Sequence, residues 1–371
     1  MVRDLAESGE VEHLVLLDAA GDRLEQVAVD HGLGRASIAV VDARDAAPLA
    51  RILGGSGVTV LVNAAFYRTN LAAMEAALAA GCDYVDLGGM YHTTMRQLGM
   101  HDRFAAAGRC AVLGIGASPG TTNLLAVVAA GQLDKVHALH VAAGATDPTP
   151  PGHTGVVAPY AIETILDQLT MPAVVLRNGA VGAIQPLTDG GDVEYPEPIG
   201  TRESVYALHS ELATFPTTFP DLQDASFRLS LAPMVADRIE LLVRCGLADV
   251  DPLELPNGSS VAPRTVLLAA LDRAKAAAPP ARPTTAAQVV EASGVRRRRT
   301  VTVRATATTV PHQRWGLSGG VVAAASPAAE ATRRLLVGDV TRAGVLAPEQ
   351  AFTPDRFLQA LSRVNTTITV E

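Results

Sequence analysis

Length, composition and charge exclude several classes of protein. The chain has 371 residues, of which 48% are hydrophobic, and a formal net charge of -8 at pH 7. This length predicts roughly two domains with substantial cores. The acidic balance argues against nucleic acid or an anionic membrane surface as a partner. No apolar run reaches the roughly 20 residues of a membrane-spanning helix. Cys82, Cys110 and Cys245 are too widely spaced to indicate a zinc site or a disulfide framework. We therefore expect a reduced, cytoplasmic protein without a metal.

The first part of the chain alternates short apolar runs with helical segments, which is typical of a parallel sheet built from β-α-β units. The chain opens in a helical segment with no strand before it. The predicted strands, each with the loop that follows, are "HLVLLDAA", "SIAVVDARD", "VTVLVNAAF", "DYVDLGG" and "CAVLGIGASPG". In the helix after the third strand, Asn70 can cap the start and Gly81 can adopt the left-handed conformation after the end. The pattern predicts a doubly wound α/β domain.

From about residue 135, β-branched runs with longer insertions predict a second, largely antiparallel sheet. These runs are "KVHALHVAAG", "ESVYALHSE", "AQVVEASG" and "RTVTVRATATT". The last two predict a hairpin around Ser293 and Gly294. The four arginines at 296–299 are more typical of a solvated turn than of a clamp for a 2′-phosphate. The final fifty residues or so return to a helical pattern.

Ligands of open parallel sheets bind outside the carboxyl ends of the strands, so the loops there are the expected binding region. Asp18 can bind an adenosine ribose and Asp42 an adenine edge, although either residue can instead cap the next helix. Phe66 and Tyr67 can wall a nicotinamide pocket, and an aromatic pair is also common in a core. Asp86 can receive a substrate ammonium or orient the carboxamide; alternatively, it bonds the backbone of its own turn. The backbone amides of "GIGASPGTTN" can hold an anion, or the segment is a simple strand-to-helix turn.

Taken in order, these loops resemble the saccharopine dehydrogenase family, most closely its lysine 6-dehydrogenase branch. The segments that carry the resemblance are "VNAAFYRTN", "YVDLGG", "GIGASPGTTNLLA", "QLDKV", "ETILDQLTMPAVVLRNG", "YPEPIGTRESVYALHSELATFP" and "GVLAPEQAF". The resemblance implies an α/β fold in which a Rossmann-like parallel-sheet domain (1–122) is followed by an inserted α/β substrate and dimerisation domain (123–322). The C-terminal helices (323–371) then return to the first domain. It also implies a homodimer that uses NAD or NADP to oxidise a C–N bond of a lysine-like amino acid, or to reduce an imine, including a cyclic imine.

The resemblance also assigns site residues. The matching family loops assign nicotinamide contacts to Asn63, Ala64, Phe66, Gly88 and Pro119, and the candidate cofactor set also includes Ala65 and the strand-end residues Asp18 and Asp42. The candidate substrate contacts are Tyr67, Tyr91, Ser118, Asn123, Tyr160, Arg177 and Arg202. Of these, Tyr160, Arg177 and Arg202 can serve a substrate carboxylate, although arginines on loops are usually solvated. Asp86 is assigned to a polar contact with substrate or carboxamide. His209 and Glu211 match a segment that faces the cleft in relatives, and they are candidate acid/base or ammonium-binding groups. The alternative is a pair on one strand face, hydrogen-bonded for structure.

The sequence departs from the family in three places. Ser118 stands where many relatives carry an acidic residue, which weakens a saccharopine-type interpretation. "GGMYHTTM" differs from the lysine branch, so lysine is only one candidate substrate. The family also places a strand and a Gly-rich turn before the segment that matches "RDLAESG", and this sequence has neither. Either Met1 is an internal methionine of a longer protein, or this is a short form that abandoned dinucleotide binding for a binding or scaffolding role.

We expect the first account of the opening, because Asp18, Asp42 and "VNAAF" are fitted to a dinucleotide. Asp18 slightly favours NAD over NADP, since a carboxylate repels a 2′-phosphate, although Arg23 nearby acts in the opposite direction. Reductive condensation of the saccharopine or carboxynorspermidine type is an alternative reaction, and it would require a second substrate that bears a carbonyl.

Overall fold

The computed structural model describes residues 1–30, 36–276 and 278–371, and the chain divides into two compact units. Unit 1 comprises Met1–Val128, Ala213–Thr218 and Ala323–Arg363. Unit 2 comprises Ala129–Leu212, Phe219–Val322 and Val364–Glu371. The chain therefore enters each unit more than once.

The regular elements are numbered in chain order. The strands are β1 (Leu14–Asp18), β2 (Ala36–Val40), β3 (Val60–Asn63), β4 (Asp83–Asp86), β5 (Cys110–Val112), β6 (Lys135–Ala145), β7 (Ala173–Arg177), β8 (Ala180–Ile184), β9 (Asp189–Glu194), β10 (Thr201–Tyr206), β11 (Asp224–Ser230), β12 (Leu253–Glu254), β13 (Ser260–Val261), β14 (Ala286–Arg296), β15 (Arg299–Thr309), β16 (Gly344–Leu346) and β17 (Thr366–Val370). The α-helices are α1 (Val2–Ala6), α2 (Gly21–Asp30), α3 (Ala46–Gly55), α4 (Asn70–Ala80), α5 (Tyr91–Leu98), α6 (His101–Ala106), α7 (Thr121–Ala130), α8 (Ile162–Thr170), α9 (Phe215–Thr218), α10 (Pro233–Arg244), α11 (Pro263–Ala276), α12 (Gly319–Leu336), α13 (Pro348–Ala351) and α14 (Pro354–Ala360). Short 3-10 helices occupy Tyr67–Thr69, Glu211–Ala213, Gln313–Trp315 and Leu361–Val364.

Unit 1 contains two parallel sheets. One pairs β1 with β2, and the other has the order β16-β5-β4-β3. In the core of unit 1, fully buried side chains of the helices pack against those of the strands, among them Leu53, Met74, Tyr84 and Phe104. The predicted α/β class with a Rossmann-like parallel-sheet domain is confirmed.

The helix α4 tests two predictions about helix ends. Gly81 has φ of 70° and ends the helix in the left-handed conformation, as predicted. The prediction that Asn70 caps the start is wrong, because Asn70 is already the first helical residue. Its side chain instead accepts a hydrogen bond from Asn63 Nδ2 at 2.8 Å and donates to the Gly88 carbonyl at 3.2 Å. Asn70 thus ties the loops after β3 and β4 together.

A cavity of about 770 Å³ lies within unit 1, lined by residues of both β1 and β3. Within the described residues, β1 pairs only with β2 and β3 pairs only with β4, so each strand has one neighbour. Most of the lining is apolar, with Asp18, Asp42 and Asn63 contributing polar groups after the strand ends. The cavity thus extends to the carboxyl ends of the strands, where ligands of parallel sheets bind.

Unit 2 is built on a nine-stranded sheet with the path β17-β15-β14-β6-β11-β10-β9, to which β7 and β8 are added beside β11. The pair β6–β11 is parallel and the other pairs in the described sheet are antiparallel, as predicted. The strand β17 was not predicted, since the sequence indicated only helices at this end. No helix in the described part of the chain is long and apolar enough to cross a bilayer.

The hairpin of β14 and β15 turns at a different place from the predicted one. Arg297 and Arg298, with φ of 50° and 65°, form the turn that joins the Arg296–Arg299 pair. Ser293 and Gly294 lie inside β14, where its register against β6 shifts. A Cβ on Gly294 would come within 2.0 Å of the Lys135 carbonyl oxygen, so close backbone approach explains this glycine.

Candidate functional site

The loops after β1 and β2 carry the two predicted adenosine-side carboxylates. Asp18 Oδ1 accepts a hydrogen bond from the Ala20 amide at 3.0 Å. Asp42 accepts two bonds from Arg44 Nε at 2.9 Å and one from its Nη2 at 2.5 Å. This guanidinium lowers the pKa of Asp42 to about 2. Asp42 is therefore held by a cation of its own loop, whereas Asp18 is held by a turn amide.

The Asp42–Arg44 pair predicts a measurable titration. A carboxylate whose pKa is depressed in the folded state stabilises that state above its ordinary pKa of 3.8, and the contribution is lost as the pH falls towards about 2. We expect the Asp42 carboxyl signal in NMR to titrate near pH 2, and in Arg44→Met to titrate at a higher pH that stays below 3.8, because the backbone amide of residue 44 still donates to Asp42 Oδ1. Equal midpoints in the two proteins would contradict this pairing.

Asn63 shapes the loop after β3. Its side chain is buried; Nδ2 donates to Thr69 Oγ1 at 3.0 Å and to the Asn70 side chain, and Oδ1 accepts from the Ala65 amide at 3.3 Å. Residues 63–66 line the cavity. Phe66 and Tyr67 pack edge to face with ring centroids 4.6 Å apart. Asn63 thus orders the loop that lines the cavity.

Asp86 stands at the end of β4 and is fully buried. Burial raises the pKa of its carboxyl, and hydrogen bonds to the carboxylate oppose that rise. The donors come from four residues: Tyr84, Gly88, Gln97 and Gly114. The predicted contact between Asp86 and substrate stays a prediction, and the observed contacts are all with the protein.

Pro119 lies against two glycines of neighbouring loops. Gly88 and Gly114 have φ of 117° and 62°, and a Cβ on either would come within 2.8 Å of Pro119 Cγ. The Gly116 amide donates to the Pro119 carbonyl at 2.8 Å. The predicted nicotinamide residues Gly88 and Pro119 therefore lie together, in a close packing that requires glycine.

A substitution in this loop should show how tightly it is constrained. Gly120 has φ of 117°, and a Cβ there would come within 2.4 Å of the Gly116 nitrogen. We expect Gly120→Ala to lower the free energy of unfolding by about 1–3 kcal/mol from backbone strain alone, measured by urea denaturation. The control Gly54→Ala lies in α3 with open space around it and should raise stability by about 0.5–1 kcal/mol. Two equal changes would contradict the constraint.

Asn123, at the start of α7, joins this loop to a carboxyl group that the sequence did not reveal. Its Oδ1 accepts from the Gly120 amide at 2.9 Å, and its Nδ2 donates to Glu349 Oε2 at 2.8 Å. Burial raises the pKa of Glu349. Because 226 residues separate the two side chains, no local pattern could predict the pair. Ser118 Oγ donates to Thr122 Oγ1 at 3.3 Å in the same loop.

In unit 2, His209 and Glu211 form a buried pair. His209 Nδ1 is hydrogen-bonded to Glu211 Oε2, and the imidazole stacks on Phe227 with centroids 3.7 Å apart and planes 12° apart. His209 follows β10 and Glu211 begins a 3-10 helix, so the pair does not share a strand face. The hydrogen bond expected by the structural alternative is present, and the choice between a structural and a catalytic role stays a prediction. A carboxylate bound at Nδ1 selects the tautomer in which Nε2 accepts a proton. The pair therefore has the chemistry of an oriented base.

The predicted substrate residues are distributed over both units. Tyr91 begins α5 in unit 1, while Tyr160, Arg177 and Arg202 lie in unit 2. Tyr160 donates to Gln168 Oε1 at 2.6 Å, and Arg177 Nη2 donates to the Tyr206 hydroxyl at 3.2 Å. Arg202 Nη1 donates to the Thr201 carbonyl at 2.9 Å. No hydrogen bond among the described side chains joins Tyr160, Arg177 and Arg202 to one another.

The fold and these loops define a Rossmann-like dinucleotide domain joined to a second α/β unit. Residues 1–112 match the model of the saccharopine dehydrogenase NADP binding domain, and residues 116–367 match that of the saccharopine dehydrogenase C-terminal domain. The chain belongs to the saccharopine dehydrogenase family. This confirms the resemblance to the family seen in the sequence, whereas the lysine 6-dehydrogenase branch stays a prediction.

Known proteins similar to this chain include one curated relative and two solved structures. Carboxyaminopropylagmatine dehydrogenase from Synechocystis sp. is 26% identical over 257 residues, which cover 67% of this chain and 63% of that protein, less than two thirds of its length. Apo saccharopine dehydrogenase (L-Glu forming) from Saccharomyces cerevisiae has a TM-score of 0.69 at 14% identity, covering 99% of this chain and 96% of that one. Homospermidine synthase from Legionella pneumophila, solved with NAD, has a TM-score of 0.68 at 12% identity, with coverage of 100% and 88%. At these identities the two structures show the fold alone.

Proposed function

We propose that this protein is an NAD(P)-dependent oxidoreductase that oxidises a C–N bond of a lysine-like amino acid, or reduces the corresponding imine. The observation that carries the proposal is the group of ordered loops at the carboxyl edge of the parallel sheets in unit 1, in a chain whose first 112 residues match an NADP binding domain.

The residues of unit 1 fit a dinucleotide. Asp18 ends β1, where its carboxylate can accept from ribose hydroxyls. Residues 64–66 line the cavity, and Gly88 has no side chain to block an approach. These groups, with Pro119, would hold the cofactor, which when bound accepts or supplies a hydride. Asp18 favours NAD, since a carboxylate repels a 2′-phosphate.

His209 is the proposed proton acceptor. An amine must be neutral before hydride leaves its carbon, so a base has to take its proton. Glu211 fixes the tautomer that presents Nε2 and stabilises the imidazolium that results. Glu211 thus acts on the reaction through His209.

Arg202 is the proposed partner of a substrate carboxylate. Its Nε is buried and has no hydrogen-bond partner among the described residues, and a buried donor without an acceptor is unfavourable. Arg177 is a weaker candidate, because 44% of its side chain is exposed and it already bonds Tyr206. Tyr67, Tyr91, Ser118, Asn123 and Tyr160 complete the proposed substrate set.

Reductive condensation is the second candidate reaction, and the match to carboxyaminopropylagmatine dehydrogenase favours it. In that case the product is a secondary amine, and turnover requires a carbonyl substrate together with an amine. Ser118 stands where many relatives of the saccharopine type carry an acidic residue, which favours the simpler deamination.

The oxidative reaction is tested by incubating the protein with NAD or NADP and a series of basic amino acids and carboxyalkyl agmatines, and by following the formation of reduced nicotinamide. The reductive reactions are tested with NADH or NADPH and either a cyclic imine or an amine together with a carbonyl compound, by following the loss of reduced nicotinamide. We expect amine-dependent reduction of NAD and oxidation of NADH by the corresponding imine. Oxidation of NADH only when an amine and a carbonyl compound are both present would select condensation. Absence of turnover and of cofactor binding would favour a scaffolding role. The proposal includes a cytoplasmic homodimer, and light scattering after gel filtration tests the dimer.

A further inference from the structure

The carboxylate of Asp86 accepts hydrogen bonds from two loops, one helix and its own strand. Oδ1 accepts from the Gly88 amide at 2.9 Å and the Gly114 amide at 2.6 Å. Oδ2 accepts from Gln97 Nε2 at 2.6 Å and the Tyr84 hydroxyl at 3.0 Å. A carboxylate offers about four acceptor positions, so these bonds use its capacity. The side chain has no exposed surface, and its contacts are therefore internal.

The two amides that donate to Oδ1 belong to Gly88 and Gly114, the two glycines that pack against the ring of Pro119. The loop after β4 contributes Gly88, and the loop after β5 contributes Gly114 and Pro119. Their close packing leaves no space for a Cβ at either glycine. The position of Pro119 relative to Gly88 therefore depends on the point where their two loops are joined.

We propose that Asp86 is a positioning residue that clamps these two loops, and that it does not itself touch substrate. This inference rests on the proposed function, in which Gly88 and Pro119 receive the nicotinamide end. Gln97, held on α5, and Tyr84, held within β4, fix Oδ2, so that Oδ1 is directed at the two amides. The clamp sets the shape of the surface that the cofactor meets.

Exchanging the donor and acceptor groups tests the clamp. In Asp86→Asn, the new amide group faces Gln97 Nε2, which places donor against donor. We expect NADH affinity and kcat to fall between about fivefold and a hundredfold, with both limbs of the pH profile kept. Adding Gln97→Glu turns that donor into an acceptor and should restore most of the loss. Loss of one limb in Asp86→Asn, or absence of rescue in the double variant, would overturn the proposal.

A second readout does not depend on cofactor. Hydrogen exchange of the Gly88 and Gly114 amides should become about tenfold faster in Asp86→Asn, because repulsion between the new amide group and Gln97 Nε2 displaces the side chain and weakens the bonds from the two glycine amides to its Oδ1, and it should slow again in the double variant. The Ile115 amide donates to the Asp86 backbone carbonyl at 2.8 Å and should keep its rate, which separates local loosening from unfolding. Unchanged rates at both glycines would overturn the clamp. Faster exchange at the two glycines in Asp86→Asn, with no NADH binding by the wild-type protein or either variant, would support the clamp and contradict the proposed function.

Discussion

His209→Gln should lower kcat by about 10²- to 10⁴-fold, because the amide cannot take the amine proton. NADH affinity should stay within about twofold, since the loops assigned to the cofactor lie in unit 1. The acid limb of the kcat/KM profile, which reports protonation of the base, should disappear. Steady-state kinetics across the pH range measures all three quantities.

Two companion variants sharpen this prediction. Glu211→Gln keeps the base and removes the carboxylate that selects its tautomer, so we expect a loss of kcat with the acid limb retained. His137→Gln changes another histidine of the unit 2 sheet, on β6, and should leave kcat unchanged. If His209→Gln retained wild-type kcat, the proton-acceptor role would have to be assigned elsewhere.

Arg264→Met should lower the free energy of unfolding of unit 2 by about 3–5 kcal/mol, the usual effect of removing one member of a buried ion pair. Arg264 is 7% exposed and bonds the fully buried Asp167, the Ala248 carbonyl at 2.6 Å and Thr170 Oγ1 at 3.1 Å. Methionine fills most of the volume but satisfies none of these acceptors. Urea denaturation followed by circular dichroism measures the change.

An exposed ion pair provides the matched control. Arg244 bonds Glu240 on the surface of α10, with 63% and 43% of the two side chains exposed. Arg244→Met should change stability by less than about 1 kcal/mol. Equal effects of the two substitutions would show that burial does not determine the contribution of the Arg264 pair.

The sequence predicted most strands and helices of unit 1. Strands of a parallel sheet are continuous apolar runs, whereas in the helices between them the apolar residues recur every three or four positions, so the two kinds of segment are easily told apart. It also identified Asp18, Asn63 and Asp86 as strand-end residues. Their partners could not be predicted: Asp86 meets Gly114 only because β4 and β5 pair, which places residues 28 apart in hydrogen-bond contact. Likewise, Gly294 suggested a turn, although the close approach of Lys135 is what requires it.

The resemblance to the family singled out His209 and Glu211, but it did not give their geometry. The stacking depends on Phe227 of β11, which lies 18 residues further along the chain than His209. The same limit applies to Asn123 and Glu349, whose contact requires β16 to bring α13 back to the loop after β5. Long-range pairing, which sets these contacts, leaves no local pattern in the sequence.

Binding of a nicotinamide dinucleotide by unit 1 underlies every role proposed for this protein. A fluorescence titration with NADH and NADPH measures this binding. We expect saturable binding with NADH preferred over NADPH, because the Asp18 carboxylate repels a 2′-phosphate. Absence of saturable binding of both nucleotides would refute the proposed cofactor role of unit 1.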